Sequence, residues 1–177
     1  MVIKPWEIVL AGTGGQGLIL AGVVLARAAV QEGKNVVQTQ SYGNQSRGGY
    51  SAAEVLISEE EIYFPECDSP NLVLALSQVA YERYRAKVSE NCLILIDKDS
   101  VQGGSRLNDV YFPFTAMAIE LGNERVINSL ALGALIKLCP VVAKESVLAE
   151  LEKELPSNVI AINHKAFDKG YALNIPV

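Results

Sequence analysis

The stretch Ile8 to Val30, IVLAGTGGQGLILAGVVLARAAV, sets a short apolar run against a glycine cluster and then a second apolar run with helical spacing. Ile8, Val9 and Leu10 show no polar alternation, which predicts a strand covered on both faces of a sheet. The cluster from Gly12 to Gly17 predicts a tight turn whose backbone comes close to whatever lies above it and whose free N–H groups open a helix. From Leu18 onward the apolar residues are dense enough to require cover on most sides, with Arg27 and Gln31 left for water. The reading is strand, turn, helix, with this unit at the centre of the fold.

Gly12, Gly14 and Gly17 also meet the G-x-G-x-x-G spacing of dinucleotide folds. The second strand, Asn35 to Gln40, would then end in a carboxylate for the adenine ribose, and it offers Gln38 and Gln40 instead. A nicotinamide cofactor is therefore not expected, and a free-standing NAD(P)-binding dehydrogenase or a phosphate-binding Rossmann-like module stands only as the alternative reading. The segment after that strand, Ser41-Tyr42-Gly43-Asn44-Gln45-Ser46-Arg47-Gly48-Gly49, is polar, rich in glycine and carries one arginine.

Taken in order, GTGGQG, SYGNQSRGG, SAAEVLIS, LVLALSQ and NHKAFDKGYAL resemble the gamma subunit of 2-oxoacid:ferredoxin oxidoreductases, and the 2-oxoglutarate branch most. The resemblance covers nearly the whole chain. It implies a complex that oxidatively decarboxylates a 2-oxoacid on thiamine diphosphate, passes electrons through iron–sulfur clusters to ferredoxin and transfers the acyl group to coenzyme A. Thiamine-binding subunits of alpha and beta type and a ferredoxin-like subunit are the implied partners. This chain would contribute structural contacts and part of the coenzyme A or active-site surface. The residues expected there are Gly12, Gly14, Gly15, Gln16, Gly17, Ser41, Tyr42, Gly43, Asn44, Arg47, Gly48 and Gly49, with no catalytic residue assigned.

With 177 residues, half of them hydrophobic, the chain can bury a sizeable core as a single domain spanning 1–177. A net charge of -5 without a basic stripe argues against nucleic acid as a partner. Cys67, Cys92 and Cys139 are scattered and His164 is the one histidine, so no cluster or zinc site is expected on this chain, and cofactors belong to its partners. No membrane span and no secretory signal are read, and the cytoplasm is the expected compartment.

Further along, strands are expected at Tyr50 to Ser58, Leu72 to Leu76, Cys92 to Ile96 and Val110 to Phe112. Helices are expected at Gln78 to Val88, capped by Ser77, and from Thr115, Val126 to Leu138, Lys144 to Leu155 and Ser157 to about Leu173, with Thr115 and Ser157 as caps. Glu59-Glu60-Glu61 and Asp97-Lys98-Asp99 read as turns. Ala131, Gly133 and Ala134 allow the helix from Val126 a close neighbour, either the sheet or a second copy of the chain in a homodimer contact. The alternation predicts an α/β protein, a three-layer α/β/α sandwich. The connection between the second and third strands is too short for a helix, so its sheet should be mixed and mostly parallel. The glycine turn and the Arg47 loop are expected at the carboxyl ends of adjacent strands, forming one polar surface.

Overall fold

The computed structural model describes residues 5–43, 48–104 and 107–175. Asn44 and Arg47 lie outside the described residues. Six strands, β1 (Trp6–Thr13), β2 (Asn35–Tyr42), β3 (Tyr50–Ser58), β4 (Leu72–Ala75), β5 (Leu93–Asp97) and β6 (Asp109–Phe112), form one sheet in the order β2-β3-β1-β4-β5-β6. β3 runs antiparallel to both β1 and β2, and β1, β4, β5 and β6 are mutually parallel. The α/β class and the mixed, mostly parallel sheet hold as expected.

One expectation fails. β1 and β2 are not neighbours, because β3 pairs between them. The short β2–β3 connection forces a hairpin, and the hairpin places its second strand, not its first, beside β1.

Alternate residues of β1 serve opposite faces of the sheet. Ile8 and Leu10 point into a core shared with α1 (Leu18–Gln31), and Val9 and Ala11 into a second core under α2 (Gln78–Arg85). All four are fully buried, which explains a strand without polar alternation. The two helices lie on opposite faces because the chain leaves β1 toward β2 on one side and β4 toward β5 on the other, and right-handed crossovers in opposite directions use opposite faces. Ser77 caps α2 as expected, its hydroxyl accepting from the Ala80 N–H at 3.3 Å.

The first face also carries α3 (Phe114–Glu120), α4 (Ile127–Leu138), α5 (Lys144–Glu154) and α6 (Ser157–Tyr171). Neither Thr115 nor Ser157 is a cap. Both stand inside their helices, after Pro113 and Pro156, whose rings suit a helix entrance. Thr115 is used instead by Asp97, a fully buried carboxylate at the end of β5. It accepts from the Thr115 hydroxyl at 2.6 Å, the Thr115 N–H at 3.2 Å, the Ser100 hydroxyl at 2.7 Å and the Asp99 N–H at 3.4 Å. The Asp97-Lys98-Asp99 segment is thus a turn, held by one satisfied carboxylate.

The close neighbour of α4 is α6 of the same chain. An added Cβ at Gly133 would lie 2.1 Å from the Phe167 carbonyl oxygen, and one at Gly170 would lie 1.8 Å from that of Leu130. The small residues read as a possible homodimer face are consumed in this crossing. Ile127 through Ile136 are all buried within the chain, and the Ser129 hydroxyl bonds Asn163 at 2.7 Å across the same contact.

Gly133→Ala and Gly170→Ala are each expected to destabilise the fold by about 2 kcal/mol net. Overpacking against backbone costs up to about 3 kcal/mol, while alanine returns only about 1 kcal/mol of helix propensity. Denaturant unfolding of the two variants checks this, and unchanged midpoints would contradict the close crossing.

Candidate functional site

The turn after β1 is held from inside by one side chain. Gln16 folds back so that its Oε1 accepts from the Thr13 N–H at 2.7 Å and its Nε2 donates to the Leu76 carbonyl at 3.0 Å. Leu76 follows β4, so this amide bridges the carboxyl ends of β1 and β4, the point where connections diverge to opposite faces and where open α/β sheets usually seat a ligand. Gly12 is required because a Cβ there would lie 2.2 Å from Gln16 Oε1. Gly17 takes φ 74°, and a Cβ there would meet the Asn128 amide at 2.5 Å. Two of the three glycines in the dinucleotide-like spacing therefore make room for the protein's own side chains.

On the other side of the turn lies a cavity of about 700 Å³ lined by Thr13, Gly14, Gly15, Gly17, Leu18 and Ile19 from the β1–α1 unit, and by Tyr42, Gly48, Gly49, Tyr50 and Ser51 from the β2–β3 hairpin. The Gly14 N–H donates to the Gly49 carbonyl at 2.8 Å and joins the two walls. The two glycine segments do meet, through β3 instead of through adjacent parallel strands. Of the residues singled out from sequence, Gly14, Gly15, Gly17, Tyr42, Gly48 and Gly49 line this cavity. Gln16 faces a smaller cavity of about 200 Å³ with Gly15, Ser100, Thr115 and Arg125. Gly12 supports the turn, and Gly43 pins the hairpin through its N–H to the Tyr50 carbonyl at 2.7 Å. Ser41 sits in the β2–β3 ladder opposite Ala52.

Thr13, Leu18, Ile19, Tyr50 and Ser51 complete the wall without having been singled out. Tyr50 and Ser51 directly follow the loop, and the sequence signal for them was only that proximity. Tyr50 is locked in place: the Arg83 guanidinium lies 4.5 Å from its ring centroid, and its hydroxyl is 2.9 Å from that of Tyr84. The Tyr84 hydroxyl donates to Glu54 at 3.2 Å, and burial keeps this phenol protonated well above its ordinary range. The floor of the cavity is the start of α1, whose first turn holds no acidic residue and no side-chain cap. Its N–H groups and the positive end of the helix dipole suit an anion.

Residues 7–173 match the pyruvate ferredoxin/flavodoxin oxidoreductase family. The chain belongs to that family. It is 42% identical over 172 residues to a 2-oxoglutarate synthase subunit KorC of Methanocaldococcus jannaschii, covering 93% of this chain and 91% of that one. It is 39% identical to the KorC subunit of Archaeoglobus fulgidus over 94% of this chain and 87% of that one. The keto/oxoacid ferredoxin oxidoreductase gamma subunit of Geobacter sulfurreducens superposes with a TM-score of 0.85 at 38% identity, covering 96% and 95% of the two chains. A 2-oxoglutarate:ferredoxin oxidoreductase chain of Magnetococcus marinus, solved with 2-oxoglutarate, coenzyme A and succinyl-CoA bound, gives a TM-score of 0.88 at 27% identity. This fold covers 31% of that longer chain. The gamma-subunit resemblance carried by the two glycine segments is upheld.

Within this oxidoreductase family the redox groups need ligands, and among the described residues no group of three or more His, Cys, Asp or Glu side chains could hold a metal ion. Cys67, Cys92 and Cys139 form no disulfide among the described residues. Burial raises the Cys139 thiol to about 12, and burial followed by the charges of Glu54 and Glu7 raises that of Cys67 further. Neither is suited to act as a thiolate. His164 is half-buried, with Nε2 3.3 Å from Glu152, and stands on α6 away from the cavity lining. Among the described residues no helix is long and apolar enough to cross a membrane.

Two outcomes follow for the folded protein. Cys67 and Cys139 are expected to resist alkylation at pH 8 and to react at the free-thiol rate only after denaturation, as timed by mass spectrometry; fast labelling of either would contradict the burial. NAD and NADP are expected to give no binding heat in calorimetry at micromolar concentrations, since Gln16 occupies the crevice between β1 and β4 and β2 ends in Gln40-Ser41-Tyr42. Micromolar affinity for either nucleotide would restore the dehydrogenase reading.

Proposed function

We propose that this chain is the gamma subunit of a 2-oxoglutarate:ferredoxin oxidoreductase. The complex cleaves the bond between the carboxylate and the oxo carbon of the 2-oxoacid, releases CO2, passes two electrons to ferredoxin and joins the acyl group to the coenzyme A thiol. Thiamine diphosphate and iron–sulfur clusters, held by companion subunits, supply the carbon and electron chemistry. The KorC relatives support 2-oxoglutarate as the substrate, because they match this chain over nearly its full length at the highest identities among the relatives described above.

The observation that carries this chain's own part is the cavity formed where the glycine turn meets the β2–β3 hairpin. It has an anion-suited helix start on one wall and two tyrosines on the other. That combination fits a ligand with phosphates at one end and a ring at the other, as coenzyme A has. In this reading the α1 amides and the Gly15 N–H face the phosphates, and Tyr42 and Tyr50 flank the adenine. Arg47 lies in sequence between Tyr42 and Gly48, which line the cavity, and in this reading adds a planar cation for a phosphate. The chain binds and orients the acyl acceptor and performs no redox step.

Arg47→Ala in the assembled complex is expected to raise the coenzyme A KM by about tenfold or more with kcat little changed, as loss of a charge-assisted contact of about 1.5–3 kcal/mol requires. Arg47→Lys is expected to recover part of it. Steady-state kinetics with varied coenzyme A reads the effect, and wild-type KM values in both variants, at normal assembly, would remove the ligand role of Arg47.

A further inference from the structure

At the end of the sheet opposite the cavity, the connection from β3 to β4 passes beneath the start of β1 and contains Glu-Glu-Glu-Ile-Tyr-Phe-Pro-Glu-Cys-Asp, residues 59–68. Tyr63 is 76% exposed and Phe64 82% exposed, side by side, whereas most aromatic side chains of the chain are buried or half-buried. Two adjacent bare rings on a loop have no folding rationale, since leaving them in water forgoes the gain that burying such large apolar groups would bring.

The loop that carries them is nonetheless fixed at both ends. The Glu60 N–H bonds the Ser58 hydroxyl at 3.0 Å and Glu59 pairs with Lys34 at 3.4 Å. On the far side the Ser69 N–H donates to the Glu7 carboxylate at 2.7 Å, and Glu7 and Asn71 exchange two further bonds at 2.8 Å. Cys67, between the rings and that anchor, packs half-buried against the second core. The rings are thus presented by a segment already held in shape, which lowers the ordering cost of docking.

The surrounding charge selects the partner. Glu60, Glu61, Glu66 and Asp68 flank the two rings, and no Lys, Arg or His occurs between Gly48 and Glu82. Among the described residues no cation pairs with these four carboxylates, unlike Glu59. A second copy of this chain would bring the same acidic rim against itself, which like-charge repulsion opposes. Building on the gamma-subunit reading, we propose that Tyr63 and Phe64 anchor this chain to a companion subunit of the complex, entering an apolar pocket rimmed by Lys or Arg that meets the four carboxylates. Aromatic anchors at the centre with complementary charge at the rim are the usual energetic arrangement of such a contact.

The test is assembly of the complex from this chain and its purified thiamine-binding and ferredoxin-like companions. Tyr63→Ser with Phe64→Ser is expected to leave the thermal midpoint of the free chain unchanged and to raise the dissociation constant for the companion subunits at least tenfold. Glu60→Lys with Glu61→Lys is expected to weaken assembly and flatten its salt dependence. Amide hydrogen exchange over residues 60–68 is expected to slow on assembly of the wild type. Wild-type affinity in both variants, with exchange over 60–68 unaffected by assembly, overturns the anchor and leaves the gamma-subunit reading standing. A self-association of the free chain that the double serine variant abolishes assigns the rings to a second copy and overturns it too. Failure of the wild-type chain to bind the companions at all overturns the gamma-subunit reading and, with it, the anchor.

Discussion

The Gln16 amide holds the centre of this molecule together. It spans the gap between β1 and β4 at the level where their chains part to opposite faces, and it satisfies one backbone donor and one backbone acceptor there. Buried backbone groups left without partners at such a point would cost about 1–3 kcal/mol each. The bridge exists only because residue 12 has no side chain, and the turn above it only because Gly15 and Gly17 accept positive φ. A spacing that in dinucleotide folds makes room for a pyrophosphate here makes room for the protein itself. The open cavity therefore lies not in the β1–β4 crevice but on the other flank of the turn, where β3 supplies the facing wall.

The antiparallel strand is what gives this cavity its second wall. With β2 beside β1, the start of β3 with Gly49, Tyr50 and Ser51 would stand a full strand away from the glycine turn, since neighbouring strands lie about 4.8 Å apart. With β3 inserted, the end of the hairpin sits directly over the turn, close enough for the Gly14 to Gly49 hydrogen bond. The wall it offers is stiff. Tyr50 is clasped between Arg83 and Tyr84, and Tyr84 is tied to Glu54 further down the same strand.

The helical layer obeys a similar economy of space. α4 and α6 cross so closely that glycines 133 and 170 each face a carbonyl of the other helix, and the polar Ser129–Asn163 contact fixes their register. This leaves α4 nothing to offer a second protomer. Two adjacent exposed rings sit elsewhere, on the loop between β3 and β4, where Tyr63 and Phe64 are flanked in sequence by carboxylates.

Strands β1, β3 and β4, helix α1 and the Ser77 cap were legible in the sequence because each depends on neighbours a few residues away: unbroken apolar runs, 3.6-residue spacing, a hydroxyl before a helix. The ordered pair of glycine segments was specific enough to indicate the family. Periodicity, however, reports that a face is covered and not by what. Hence α4 could be read as an interface when it is covered by α6, and Thr115 as a cap when Asp97 uses its hydroxyl. The strand order had the same difficulty, since a short loop requires a hairpin without saying which of its strands meets β1. By itself the sequence determined the local conformations and the presence of two glycine-rich loops, because those follow from the residues' own steric and hydrogen-bonding limits. Only the tertiary structure decided that Gly12 faces Gln16, that β3 stands between the loops, and that the cavity opens on the hairpin side, because these rest on contacts between residues as far apart as Gln16 and Leu76, or Gly17 and Asn128.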